Sequence, residues 1–186
     1  MNIIRDYMGI DGLVVLTPTI FSDDRGSFSE VYNQKVFSET VSNKISFVQD
    51  NASISKKGVL RGIHLQKEPF AQGKLVRCDR GEVFDVAVDL RPDSNTFLHI
   101  AYIYLSEANN KQFWMPEGFG HGFLSLQDET KVVYKTSNFY SKNDDLTINF
   151  KEFDIPWPTI PGIDKFLLSD KDNKGLTLDE YKKIIR

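Results

Sequence analysis

The chain has 186 residues, enough for one compact domain and short for two of ordinary size. Its 23 Lys+Arg against 26 Asp+Glu give a net charge of −3, which excludes a general nucleic-acid binder, since that would show a basic excess or a basic run. The single cysteine, Cys78, excludes an internal disulfide and a four-cysteine zinc site, and its expected place is a small buried apolar residue.

Taken in order, the first stretch, Met1 to Asp11, is broken by Arg5, Asp6 and Asp11 and carries no apolar run of signal-peptide length. No segment approaches the roughly 18 apolar residues of a membrane helix, so a soluble cytoplasmic protein with no membrane contact is expected. Asn33 is placed to cap a short helix through Val36, Phe37, Thr40 and Val41. Strands follow. Lys74 to Cys78 is one, and Asp79-Arg80-Gly81 turns it into Val83 to Leu90, where Phe84, Val86, Val88 and Leu90 share a face opposite Asp85 and Asp89. After a loop at Arg91 to Asn95 come His99 to Leu105, then Gln112 to Met115 and Gly122 to Leu126 around a turn at Pro116-Glu117-Gly118, then Lys131 to Thr136. Leu178 to Ile185 reads as a terminal helix. Many short strands, few helices and frequent turns predict a single all-β domain over residues 1–186, a sandwich or barrel. Its sheet edges call for closure or for strand exchange with a partner subunit.

Two segments concentrate chemistry. In Gly58 to Gln66, period-two alternation puts His64 and Gln66 on one face, with Arg61 and Lys74 nearby. Taken alone, His64 reads first as a core histidine with satisfied nitrogens, and the nearby Arg61 and Lys74 are what favour a functional reading. The second segment, Trp114 to Phe123, holds glycines and a proline around His121, which reads either as a ligand contact or as a turn histidine bonded to backbone. The spacing Pro116, Gly118, His121 resembles one of the two metal motifs of cupins. In the other motif Gln66 stands where a second histidine would be needed, and two histidines make a poor transition-metal site. No Gly-x-Ser-x-Gly elbow or phosphate-cradling glycine loop is present. Acid–base chemistry with His, Lys, Tyr and Asp is what remains.

Several segments occur in a characteristic order: Asp24-Arg25-Gly26, Phe47 to Asn51, Val59 to His64, Gln72 to Arg77, Gly81 to Asp89, Pro116 to Phe123, Tyr134 to Thr136 and Leu168 to Asp172. In this the chain resembles the dTDP-4-dehydrorhamnose 3,5-epimerase family from about Pro18 to Asp172. The resemblance implies a cupin-type jelly-roll barrel with a few short peripheral helices, a homodimer, and no metal or organic cofactor. It implies a dTDP-linked 4-keto-6-deoxy sugar as substrate, inverted at C-3 and C-5. Both carbons are alpha to the C-4 ketone, so such a site needs a base on one face, a donor for the enolate oxygen and an acid on the other face.

By the same resemblance His64 is the base and Asp172 its partner, Lys74 faces the C-4 oxygen, and Tyr134 is the acid. Substrate-binding positions are Arg25, Phe28, Glu30, Gln49, Asp50, Asn51, Arg61, His121, Tyr140, Asp145 and Lys171, with the segment around Arg25 to Glu30 reaching the neighbouring subunit's site. The chain departs from the family's usual pattern at Leu65, Gly120, Lys142 and Asp145, the last standing where glutamate is common. Alternatives are a single-carbon epimerase of a related sugar nucleotide, a non-catalytic sugar-nucleotide-binding cupin and a metal-dependent cupin oxygenase.

Overall fold

The computed structural model describes residues 1–185. Strands β1 (Asn2–Arg5), β2 (Val14–Thr17), β3 (Phe21–Asp23) and β4 (Gly26–Phe28) precede helix α1 (Gln34–Thr40). Then come β5 (Gln49–Ser55), β6 (Leu60–Gln66), β7 (Lys74–Arg80), β8 (Glu82–Asp89), β9 (Ile100–Ser106), β10 (Gln112–Met115), β11 (Phe119–Ser125), β12 (Thr130–Thr136) and β13 (Asp145–Thr147). Two short helices close the chain, α2 (Asp170–Asn173) and α3 (Leu178–Ile184).

The strands form two facing antiparallel sheets, the cupin-type jelly roll expected. One is six-stranded in the order β1-β2-β10-β7-β12-β5, the other five-stranded in the order β13-β6-β11-β8-β9. Between them lie Val76, Val83, Ala87, Phe113, Phe119, Phe123 and Val132, with Cys78 buried among them as expected. Burying one such large side chain stabilises the fold by roughly 1.5–3 kcal/mol.

The apolar face of β8 is not the barrel interior. Phe84, Val86 and Val88 point outward and are covered by Phe153, Ile155, Ile160 and Tyr181 of the C-terminal segment. The interior face of the same strand therefore carries Asp85, fully buried, next to the cavity described below. On the outside of the other sheet, α1 lays Phe37 edge-on to Trp114 at 5.2 Å. Its start is fixed as expected: the Asn33 side chain accepts hydrogen bonds from the N–H groups of Lys35 and Val36, a cap typically contributing about 1 kcal/mol.

Beyond the elements read from the sequence pattern, the structure adds β1, β2, the β3–β4 hairpin, β5, β13 and α2. Strand β5 reads Gln-Asp-Asn-Ala-Ser-Ile-Ser, almost without apolar alternation, because it is an edge strand whose inner face borders a polar cavity. The hairpin is a separate two-stranded sheet, and its Phe28 is 69% exposed.

Candidate active site

The cavity opens between the sheets, with side chains from both. From the five-stranded sheet, β6 presents His64 and β11 presents His121, register partners on adjacent strands. This close pairing depends on Gly62: a Cβ there would stand 2.5 Å from the Cα of Gly122. From the six-stranded sheet, alternation along β7 turns Lys74 inward with Val76 and Cys78, and alternation along β12 turns Tyr134 inward with Val132 and Thr136. His64, Lys74, Tyr134, Arg61, His121, Tyr140, Asp145 and Lys171 all line this one cavity of about 220 Å³.

Behind His64 stands Asp172, only 3% exposed. Its Oδ1 lies 2.5 Å from His64 Nε2 and accepts the Gly62 N–H at 3.3 Å. Its Oδ2 accepts the Ser169 hydroxyl at 2.7 Å. Ser169 is also the N-cap of α2, accepting the N–H of Asp172, so one serine both starts the helix and orients the carboxylate. Burial opposes the Asp172 charge, but the hydrogen bonds from His64, Ser169 and Gly62 outweigh it and hold the carboxyl below its ordinary value. An ionised Asp172 makes His64 Nε2 the donor and leaves Nδ1 as the basic nitrogen. Burial pushes the imidazole below its ordinary value despite the pull of Asp172. His64 is therefore neutral near pH 7, in the form that accepts a proton.

Lys74 donates from Nζ to the His64 carbonyl at 3.1 Å and is 7% exposed. Burial brings its ammonium down to about 8, so at pH 7 it is still protonated by about ten to one. Tyr134 stands edge-on to His121 with centroids 6.4 Å apart. Burial raises its phenol above the ordinary value, which keeps it a proton donor. His121 Nε2 pairs with Asp85 Oδ2 at 2.9 Å, and burial raises the Asp85 carboxyl. Toward the mouth, Asp145 Oδ2 accepts from Lys171 at 2.5 Å and from the Tyr140 hydroxyl at 3.0 Å. Arg61 is held by Ser55 Oγ at 3.1 Å.

Other expected residues fall differently. Gln49 lies at the rim, accepting the Tyr140 N–H at 3.1 Å and donating to Asn51 at 2.9 Å. Strand alternation turns Asp50 to the outer face, where it takes the Lys135 ammonium at 2.9 Å, and it does not line the cavity of its own chain. Arg25, Phe28 and Glu30 are exposed on or next to the β3–β4 hairpin and do not line the cavity of their own chain; Arg25 pairs with Asp23. Asp85, Ser169 and Gln66 join this set through their contacts with His121, Asp172 and the Tyr140 loop, without standing among the expected site residues. Asp85 had a readable signal, since it lies on the face of β8 that β-alternation sets apart from the apolar one. Among the described residues, no three His, Cys, Asp or Glu side chains group as metal ligands.

His64 and Tyr134 stand on opposite walls of the cavity, with Lys74 between them in the sequence of strands, a set of groups able to carry acid–base chemistry. The family model for dTDP-4-dehydrorhamnose 3,5-epimerase matches residues 7–180. A relative of that name from Shigella flexneri is 52% identical over 177 residues, covering 94% of each chain. The chain belongs to the dTDP-4-dehydrorhamnose 3,5-epimerase family. Among solved structures, the Legionella pneumophila dTDP-6-deoxy-D-glucose-3,5-epimerase in complex with dTDP-4-keto-L-rhamnose is 40% identical, with a TM-score of 0.89 over 96% of this chain and 93% of that one. A 3'-monoepimerase from Streptomyces bikiniensis in complex with dTDP-quinovose is 31% identical, with a TM-score of 0.84 over 94% of this chain and 87% of that one. The epimerase fold therefore spans nearly the whole chain.

Proposed function

We propose that this epimerase converts dTDP-4-dehydro-6-deoxy-D-glucose to dTDP-4-dehydro-L-rhamnose by inverting C-3 and C-5. One observation carries the reading: the His64–Asp172 pair and Tyr134 come from opposite sheets and face one cavity that also holds the buried Lys74 ammonium. His64 Nδ1 takes the proton from C-3 or C-5, and the C–H electron pair moves into the enolate, placing charge on the C-4 oxygen. Lys74 stabilises that oxygen. The Tyr134 phenol delivers a proton to the opposite face of the carbon, and solvent exchange restores both groups for the second carbon. Every step is a proton transfer without change of oxidation state, so the chemistry asks for no electron acceptor.

Arg61 and Lys171 supply cationic contacts for the diphosphate, and Tyr140 a flat surface for the base. In a homodimer, the hairpin carrying Arg25, Phe28 and Glu30 completes the neighbour's site by strand exchange. Its exposed Phe28 and the free edge of β5 support that assembly. A buried, unpaired Cys78 suits a cytoplasmic setting.

Turnover in deuterated water, followed by NMR, tests the reading. Label at both C-3 and C-5 is expected. The 3'-monoepimerase among the structural relatives favours a second reading, inversion at one carbon, which label at a single position would establish. No label at either carbon would refute both.

A further inference from the structure

Gln66 occupies the place on β6 where a metal-binding cupin carries its second histidine, two residues beyond His64 on the same face. Its side chain is 5% exposed, and the amide is committed in every direction. Nε2 donates to the carbonyl of Phe70 at 2.5 Å and to that of Phe139 at 3.1 Å. Oε1 accepts the N–H of Ser141 at 2.8 Å. Phe139 and Ser141 flank Tyr140, whose own N–H goes to Gln49 Oε1 at 3.1 Å. The backbone of Tyr140 is therefore clamped by two glutamine side chains, while the residue remains 58% exposed and lines the cavity.

We propose that Gln66 is a positioning residue that sets Tyr140 against the nucleotide base, so that the position used for metal ligation elsewhere in the cupin fold here controls affinity for the dTDP end of the substrate. This rests on the reading of the cavity as a dTDP-sugar site. The chemistry of the amide explains why glutamine is needed. Two carbonyls require two donors and one N–H requires an acceptor, and only a primary amide of this length offers that set. A glutamate would turn an oxygen toward Phe70 and Phe139 carbonyl oxygens, and a methionine would fill the volume with no polar contact. In either case the peptide groups of Phe70, Phe139 and Ser141 lose these part-buried partners, and the loop that carries the ring is released.

The test uses Gln66→Glu and Gln66→Met, the second to remove the amide without burying a charge, should the first fail to fold. The probes are dTDP alone, titrated by calorimetry, and turnover of the dTDP-4-keto sugar. The expected result is a rise of about tenfold in the Kd for dTDP and in KM, with kcat within about threefold. In a Tyr140→Ala background, adding Gln66→Met is expected to cause no further rise. A lower melting temperature with unchanged Kd and KM would overturn the proposal, as would a fall in kcat at constant KM, which would place the role at His64. Fully additive effects with Tyr140→Ala would overturn it too. Because dTDP binding is read without turnover, a chain that binds dTDP but exchanges no deuterium refutes the epimerase reading and leaves the Gln66 comparison intact. A wild-type chain that does not bind dTDP refutes both.

Discussion

Replacing Lys74 with methionine is expected to make the protein more stable and nearly inactive. The buried ammonium titrates at about 8 instead of 10.5, and each unit corresponds to about 1.4 kcal/mol, so below pH 8 the charged lysine opposes folding by about 3 kcal/mol. That figure already contains the attraction of Asp145 and Asp85. Methionine keeps the buried stem and removes the charge, at the loss of one hydrogen bond to the His64 carbonyl worth about 1 kcal/mol. A net gain of about 2 kcal/mol is expected at pH 7, which in a domain of this size raises the melting temperature by about 4–8 °C. Turnover is expected to fall by about 100- to 1000-fold, the usual cost of losing one preorganised oxyanion donor. The sign of the pH dependence gives a control. Between pH 8 and 10.5 the unfolded chain still holds the proton that the folded chain has released, so wild-type stability gains from Lys74 as pH rises through that window. The variant lacks this gain, and the difference between the two proteins shrinks toward pH 10.5. Thermal unfolding across pH 7–10 beside kcat measurements decides the matter. A Lys74→Met protein that melts several degrees lower, or that turns over at the parent rate, refutes the assignment of a strained, working cation.

Tyr134→Phe removes the acid and spares the base, so solvent deuterium is expected to enter the recovered substrate with its configuration retained, while inversion falls at least about 100-fold; inversion at the parent rate would dismiss Tyr134 as the acid. Asp172→Asn leaves a side chain of the same shape that no longer fixes the imidazole tautomer, and kcat is expected to drop by about 1000-fold or more; a loss under tenfold with unchanged circular dichroism would reduce Asp172 to a structural role. The profile of kcat/KM against pH is expected to hold down to below the ordinary imidazole value, because His64 is shifted downward, and to decline as pH rises through about 8, where Lys74 loses its proton. An acid limb centred above pH 7 would contradict a neutral, desolvated His64.

The sequence made some of this legible, and the reasons for the rest are physical. Strands β7, β8 and β12 announced themselves through alternation because each packs at least one apolar face, and the Asn33 cap fixed the start of α1. Strand β5 stayed hidden because it has an open edge and a cavity wall, so neither face needs a continuous apolar row. On the same strand, family likeness groups Gln49, Asp50 and Asn51, while a period of two turns the middle residue to the face opposite its neighbours. The His64–Asp172 contact was not. It joins residues 108 positions apart, and α2 is a four-residue polar turn that no local periodicity marks. Only the resemblance to a family brought Asp172 forward.

One physical cause acts on all three groups of the proposed mechanism. Burial in the same cavity lowers His64, lowers Lys74 and raises Tyr134, because each shift disfavours the charged form of its group. In the proposed reaction the neutral form is the one needed of His64 and Tyr134: a free imidazole lone pair to take a proton, and a phenol that still has one to give. Lys74 is the exception, since its charge is what the enolate oxygen requires, and burial works against it. The conflict is eased by Asp145 and Asp85, which raise its proton affinity, and the residual cost is the reason a methionine is expected to stabilise the fold. The low dielectric that penalises this ammonium also strengthens its interaction with a charge that develops only in the transition state. A net charge of −3 over the chain is thus compatible with a site built for an anion, because the buried Lys74 and the exposed Arg61 and Lys171 line one cavity, where the average over the whole surface does not describe the local charge.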